Sequence, residues 1–356
     1  MPLERLHLKN FRLFQEKTLT ITGGTNLILG KNGSGKTSIL ESLNILLSGK
    51  SFRTKETKEC IKSDNEFFSI SGKGTLSKEV LLLNIENSLN NRPKSTRKLG
   101  GSSIKKDDLY FTQIVLAKNL KMIEGEPEIR KEYFNNLMFH VKPELKKLNS
   151  RYQKALKQRN RCLKNQLFQS ELTLWSKEVS ALGLDLSKEQ YKFFQFFKES
   201  VKEYINTVTD TGSFPFLKEV DVTFSKGWER SKKLDASLKD CMDRDKALGY
   251  TSKGPHRMDF TFNIKGKKAS SNLSRGQLKI LILLIFLSNF KMIENLTQSE
   301  LILMIDDLGS ELDSKNLSGL LEEILKIDGQ IILTGIEGEE MHGSLKKLVN
   351  FTQINL

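Results

Sequence analysis

The strongest chemical signal in this chain is the run Gly30, Lys31, Asn32, Gly33, Ser34, Gly35, Lys36 and Thr37. Its spacing satisfies GxxxxGK[ST], the pattern of a loop that cradles phosphates. Glycines at 30, 33 and 35 let the backbone curl so that successive N–H groups point inward at phosphate oxygens. Lys36 is placed to reach the β- and γ-phosphates, and the Thr37 hydroxyl is a hard oxygen ligand for Mg²⁺. Such a loop needs an acidic partner. The apolar run Leu301-Ile-Leu-Met-Ile305 ends in Asp306 and Asp307. An apolar stretch that ends in acid fits a buried parallel strand delivering a carboxylate to the C-terminal edge of its sheet. Asp306 is the candidate for the Mg²⁺ shell. Asp307 is the candidate for orienting or deprotonating the attacking water, so Lys36, Asp306 and Asp307 form the expected catalytic set.

A third motif sits between these two in the chain: Leu273-Ser274-Arg275-Gly276-Gln277, followed by Leu278 and Lys279. It resembles the signature motif of ABC ATPases, usually LSGGQ, which opens a helix. That resemblance implies that Ser274, Gly276 and Gln277 face the γ-phosphate of a nucleotide bound by a second subunit. Asp313, in Ser310-Glu-Leu-Asp313, resembles the aspartate of the family's subunit-contacting loop. Gln113 is a candidate for the polar residue that reaches the metal from a strand end.

Further segments narrow the resemblance. Leu8-Lys-Asn-Phe-Arg12 is similar to the opening of RecF and SMC-type DNA-repair ATPases, in which the arginine approaches the nucleotide. Gly49-Lys-Ser-Phe-Arg-Thr54, Tyr152-Gln-Lys-Ala-Leu-Lys-Gln-Arg-Asn160, Ser252-Lys-Gly-Pro-His-Arg257 and Asp306-Asp-Leu-Gly-Ser-Glu-Leu-Asp313 each resemble RecF-family segments. Together they cover nearly the whole chain. The resemblance implies an ATP- and Mg²⁺-dependent homodimer that closes on DNA at gaps or junctions. It further implies cooperation with RecO and RecR to place RecA on single strands, and roles in replication restart and the SOS response. Two departures from other ABC proteins point to a slow switch. Thr334 stands where many have a γ-phosphate-sensing histidine, and Asp307 stands where transporters have glutamate. At residues 256–259, Met258 precedes Asp259 where the family usually has an acidic or small residue first.

The elements that must hold these residues define an α/β fold: an ABC-type P-loop head with a mixed sheet core and an inserted, mainly helical second domain. Leu3 to Leu8 alternates as an edge or half-buried strand would, and residues 18–21 repeat the pattern. Residues 26–29 read as a strand before the phosphate loop, and Ile39, Leu40, Leu43, Leu46 and Leu47 as the helix after it. We place the first lobe at 1–125, the helical insert at 126–213 and the completing lobe at 214–356. Glycine nearly disappears from the insert, and Leu145, Leu148, Tyr152 and Leu156 follow helical spacing. That spacing breaks at Arg159 and Asn160, which argues against a long coiled coil.

Charge supplies the partner class. The chain of 356 residues carries a formal charge of +14, which suits a polyanion, either nucleic acid or an anionic membrane surface. Residues 142–164 hold nine Lys or Arg and one acid, Glu144. Arg151, Lys154, Lys157 and Arg159 are the candidate DNA contacts, and Lys50, Arg53, Lys55 and Lys58 form a second basic stretch. Cations in this arrangement grip backbone without reading bases. Cys60, Cys162 and Cys241 show no metal or disulfide spacing, which points to a reducing, cytoplasmic compartment. The apolar run 280–287 falls short of the roughly 18 residues that a membrane span needs and reads as a buried helix or strand. A transporter's ATPase subunit would bring the signature about twice as close to the phosphate loop. An SMC-like bridge would need a much longer insert, and an attached nuclease would need a further acidic or His-rich cluster.

Overall fold

The opening alternation gives a strand with one apolar face. In the computed structural model, which describes residues 3–104, 110–165, 168–297, 300–336 and 351–356, β1 (Arg5–Phe11) hairpins onto β2 (Phe14–Thr20), with Leu6 opposite Leu19. The other side of β1 pairs with β4 (Phe67–Leu76), so it lies inside the sheet, not at an edge. β5 (Glu79–Ser88), β6 (Lys94–Leu99) and β7 (Ser102–Ser103) complete an antiparallel sheet in the order β2-β1-β4-β5-β6-β7.

A second sheet is parallel throughout. β3 (Thr25–Leu29), β8 (Tyr110–Val115), β12 (Glu300–Ile305), β13 (Gln330–Gly335) and β14 (Phe351–Asn355) run in the order β14-β3-β13-β12-β8. Parallel strands covered on both faces favour near-continuous apolar runs. All five residues of β3 are buried, as are all six of β13. Their polar residues are buried with partners: Asn26 hydrogen-bonds to backbone at Thr22, Gly24 and Ile331, and Gln330 donates to the carbonyls of Leu3 and Thr22. Helix α1 (Lys36–Ser48) contacts strands of both sheets, and its Ile39, Leu40, Leu43 and Leu46 share one core with Leu6, Leu8, Phe68, Ile302, Met304 and Ile332. α9 (Arg275–Leu296) packs on β8 and β12, and α10 (Ser314–Leu325) packs on α9. α9 is long and apolar enough to cross a membrane, yet 78% of its most apolar stretch is buried in the protein. Core packing accounts for its composition.

These elements form one compact unit, Met1–Asn119 with Arg275–Leu356; Leu120–Ser274 forms another. The second unit holds α3 (Pro127–Val141), α4 (Leu145–Lys164) and the long α5 (Gln169–Asp210), which packs along α4, with the short helices α2 (Lys121–Glu124), α6 (Leu234–Asp240), α7 (Met242–Leu248) and α8 (Ala269–Asn272). It continues past the expected boundary at 213 because a small antiparallel sheet belongs to it: β9 (Val220–Ser225), β10 (Asp259–Ile264) and β11 (Lys267–Lys268). The cause is aromatic. Phe134 of α3 and Phe194 and Phe197 of α5 pack edge-on or tilted against Phe224 and Phe260 of that sheet.

Candidate nucleotide-binding site

β3 ends at Leu29 and the chain turns through residues 30–35 into α1. Two of the three glycines are required by backbone angle: Gly33 has φ of 81° and Gly35 of 99°. Gly35 is also required by space, since a Cβ there would meet Phe14 at 2.5 Å. Gly30 is required by space alone, because a Cβ would meet Ser34 Oγ at 2.5 Å. Lys31, Asn32 and Gly33 are exposed at the crest of the loop. The Lys36 ammonium folds back over it, donating to the carbonyls of Gly30 at 2.5 Å and Lys31 at 2.9 Å. No side chain caps the start of α1. The Ser34 hydroxyl is buried and has no hydrogen-bond partner among the described residues. A folded-in cation, an orphan hydroxyl and an uncapped helix N-terminus fit a polyphosphate.

The acidic strand delivers its carboxylate to that loop. Asp306 follows the last residue of β12, with its N–H bonded to Val115 O at the end of β8. Thr37 Oγ donates to Asp306 Oδ2 at 3.1 Å, and Thr334 Oγ donates to Oδ1 at 2.8 Å. Thr334 Oγ also accepts from the Asp307 N–H at 2.8 Å. Asp307 has φ of 52°, a left-handed angle that a non-glycine residue keeps only where its surroundings over-determine it. The carbonyl of Asp307 is held from the other side by Lys279 Nζ at 2.7 Å. The hydroxyl of Thr37 and the carboxylate of Asp306 are hard oxygen donors of the kind that hold Mg²⁺.

Ser274 is exposed and immediately precedes α9, whose first turn contains Gly276 and Gln277. Gly276 faces the loop after the acidic strand so closely that a Cβ would lie 2.7 Å from Glu311 O. Asp313 caps the N-terminus of α10, accepting from the Asn316 N–H at 2.8 Å.

The profile of the RecF/RecN/SMC N-terminal domain matches residues 2–355. The "DNA replication and repair protein RecF" of Pseudoalteromonas translucida (strain TAC 125) is 31% identical over 96% of this chain and 93% of its own length. That of Aliivibrio fischeri (strain MJ11) is 29% identical over 98% and 97%. The chain belongs to the RecF family. A structure of the recombination mediator protein RecF with ATP superposes with a TM-score of 0.78 at 23% identity, covering 95% of this chain and 92% of that one. An SMC head bound to the C-terminal winged-helix domain of ScpA gives 0.55 at 14% identity, covering 97% and 92%. The fold is therefore that of the RecF and SMC ABC-type ATPase head.

Not every residue expected from sequence joins this RecF-type site. Gln113 pairs with Leu303 in the interior of β8. Three residues at strand rise place it roughly 10 Å before the level of Asp306. Arg12 reaches Glu41 through Nε at 2.8 Å and Nη2 at 2.6 Å, while Nη1 donates to Glu59 O. Burial would raise the Glu41 carboxyl, but hydrogen bonds from Arg12 and Ser51 and the charges of Arg12 and Arg53 hold it below the usual carboxylate range. The same burial, with Glu41 alongside, pushes the Cys60 thiol up to about 12. Arg151, Lys154 and Lys157 are exposed on α4. Arg159 is not available to DNA: it is fully buried and pairs with Asp245 at 2.8 Å. Sequence reasoning missed Glu41 and gave Lys279, named beside the signature motif, no role of its own. An acid or lysine one helical turn beyond a motif reads as solvated, and only tertiary packing buries it.

Proposed function

We propose that this chain is an ATP-dependent DNA-binding protein of DNA replication and recombinational repair, working as a slow nucleotide-driven switch in the cytoplasm. The observation that carries the reading is Thr37 and Asp306 meeting beside the phosphate loop, within a member of the RecF family. Gly33 and Gly35 supply the curled backbone and Lys36 the cation for ATP. Thr37 and Asp306 would hold Mg²⁺, which when bound offsets phosphate charge. Asp307 orients the attacking water, and its short side chain does so less well than glutamate, in keeping with weak, DNA-dependent turnover.

Each chain offers half of two composite sites, a phosphate loop on one face of the reaction and residues 274–277 for the partner's nucleotide. ATP joins two copies over DNA, and hydrolysis releases them. The exposed Arg151, Lys154 and Lys157 serve DNA phosphates, and family membership supports action at gaps or junctions with RecO, RecR and RecA and a part in the SOS response. The test is size-exclusion chromatography with ATP and Mg²⁺, with and without duplex DNA. A nucleotide-dependent shift to dimer is expected, abolished by Lys36→Ala. A chain that stays monomeric at saturating ATP with DNA present rules the clamp out.

A further inference from the structure

The turn after the acidic strand is held by a lysine from the signature helix. Lys279 Nζ donates to Asp307 O at 2.7 Å, to Ser310 O at 2.8 Å and to Ser310 Oγ at 2.8 Å. Those are the three bonds an ammonium can give. Ser310 Oγ in turn donates to Asp307 O at 3.2 Å. We infer that Lys279 is a positioning residue for ATP hydrolysis: by clamping the backbone from Asp307 to Ser310 it fixes the Asp307 carboxylate, and it makes the first turn of α9 and the acidic turn of the same chain move as one piece. This rests on the nucleotide-site reading above.

Two features support the assignment. Asp307 is in a left-handed conformation that needs restraint from both sides. Thr334 restrains its N–H and Lys279 its carbonyl. The second feature is the seating of α9. Gly276 leaves its start flush against Glu311 O, and Arg275 lies 3.7 Å from the Glu311 carboxylate. Burial lowers the pKa of the ammonium, while the carboxylates of Asp307, Glu311 and Asp306 oppose that shift. A buried charge of this kind is tolerated where its donors are all met. The phosphate loop makes none of these bonds, so the clamp governs placement of the acid and not nucleotide affinity.

Lys279→Met and Lys279→Arg should be compared by ATP titration and by DNA-stimulated turnover. Loss of charge-assisted bonds at Asp307 should lower kcat in Lys279→Met by about tenfold to a hundredfold, with ATP affinity within about twofold of the parent. Lys279→Arg, which keeps charge and donors, should recover a substantial part of the loss. Unchanged kcat in Lys279→Met, an equal loss of affinity and kcat, or an arginine variant no better than methionine overturns the assignment. Should Lys279→Met fail to fold, Ser310→Ala removes one of the three bonds from a surface turn. It is expected to lower kcat by about threefold at constant affinity, and no change there overturns the clamp equally. If Lys36→Ala leaves turnover intact in the same assay, it is the nucleotide-site reading that falls.

Discussion

Asp306 and Asp307 are adjacent in sequence but are held by different means, and one hydroxyl serves both. Thr334 Oγ donates to the Asp306 carboxylate and accepts from the Asp307 N–H. It stands where many ABC proteins carry a histidine, and its bonds in this chain are internal, tying the Asp306 carboxylate to the Asp307 backbone. Thr334→Val keeps shape and removes the hydroxyl. One hydrogen bond to a charged group is worth about 1.5–3 kcal/mol. We therefore expect turnover to fall by about tenfold or more, with Thr334→Ser near the parent. Steady-state hydrolysis decides it, and an unimpaired valine variant would remove Thr334 from the site. Asp307→Asn tests the other half. The amide cannot accept a proton from water, so hydrolysis should slow and the ATP-bound dimer should persist longer in a dissociation assay. Dimer lifetimes equal to the parent's would take Asp307 off the catalytic set.

Among the elements, α4 shows best what a sequence discloses and what it hides. Its apolar stripe through Leu145, Tyr152 and Leu156 was legible, and the stripe ceases to be apolar at Arg159 while burial continues. The helix runs on because Arg159 pairs with Asp245 and donates to Thr251 and Ser176, partners distant in the chain. Removing one member of a buried pair leaves the other charge unmatched, at a cost of roughly 3–5 kcal/mol. Arg159→Met should accordingly lower the unfolding midpoint in urea. Stability equal to the parent's would contradict the pairing.

The same helix is tied by Tyr152, whose hydroxyl lies 2.6 Å from His256 Nδ1, while His256 Nε2 donates to Thr251 O. Burial, with the charges of Arg257 and Lys131, lowers the His256 pKa from 6.5 to about 4 against the bond to Thr251. Between those values the unfolded chain binds a proton that the folded chain refuses. Stability should then be full above pH 6.5 and fall as pH drops through the window, by at most roughly 3 kcal/mol. A His256→Gln variant with the same pH slope would refute this. β3 and β12 were legible from their apolar runs, residues 27–29 and 301–305, and the phosphate loop because its spacing is local. β8 and β14 were not, because Thr112 and Gln113 interrupt one and Thr352 and Gln353 the other, nor was the adherence of β9 and β10 to the helical unit, which depends on phenylalanines as far apart as 134 and 260.

For the whole molecule the deciding quantity is charge and what it meets. The excess of +14 is spread over the chain, and α4 displays Lys147, Arg151, Lys154, Lys157, Arg161 and Lys164 at exposed positions with Arg159 turned inward. Phosphate contacts release counterions, so each one lost lowers the salt slope of binding by about 0.9 for duplex DNA. If about six phosphates are neutralised, log K should fall with log salt at a slope near −5. The variant Arg151→Glu/Lys154→Glu/Lys157→Glu changes only exposed side chains, and folding and ATP-driven pairing should survive. Its slope should flatten by about 2–3 and its affinity at moderate salt should drop, equally for unrelated duplex sequences, because such contacts hold the backbone and do not read bases. Ser274→Arg makes the complementary change. Nucleotide binding by the single chain should remain, pairing should fail, and DNA affinity should lose its dependence on ATP while keeping its dependence on salt. Measured together by fluorescence anisotropy across a salt series, the two variants separate the electrostatic grip from the nucleotide-driven closure. A parental salt slope in the triple variant would move the DNA surface off α4. ATP-dependent binding retained in Ser274→Arg would show that closure does not run through the start of α9.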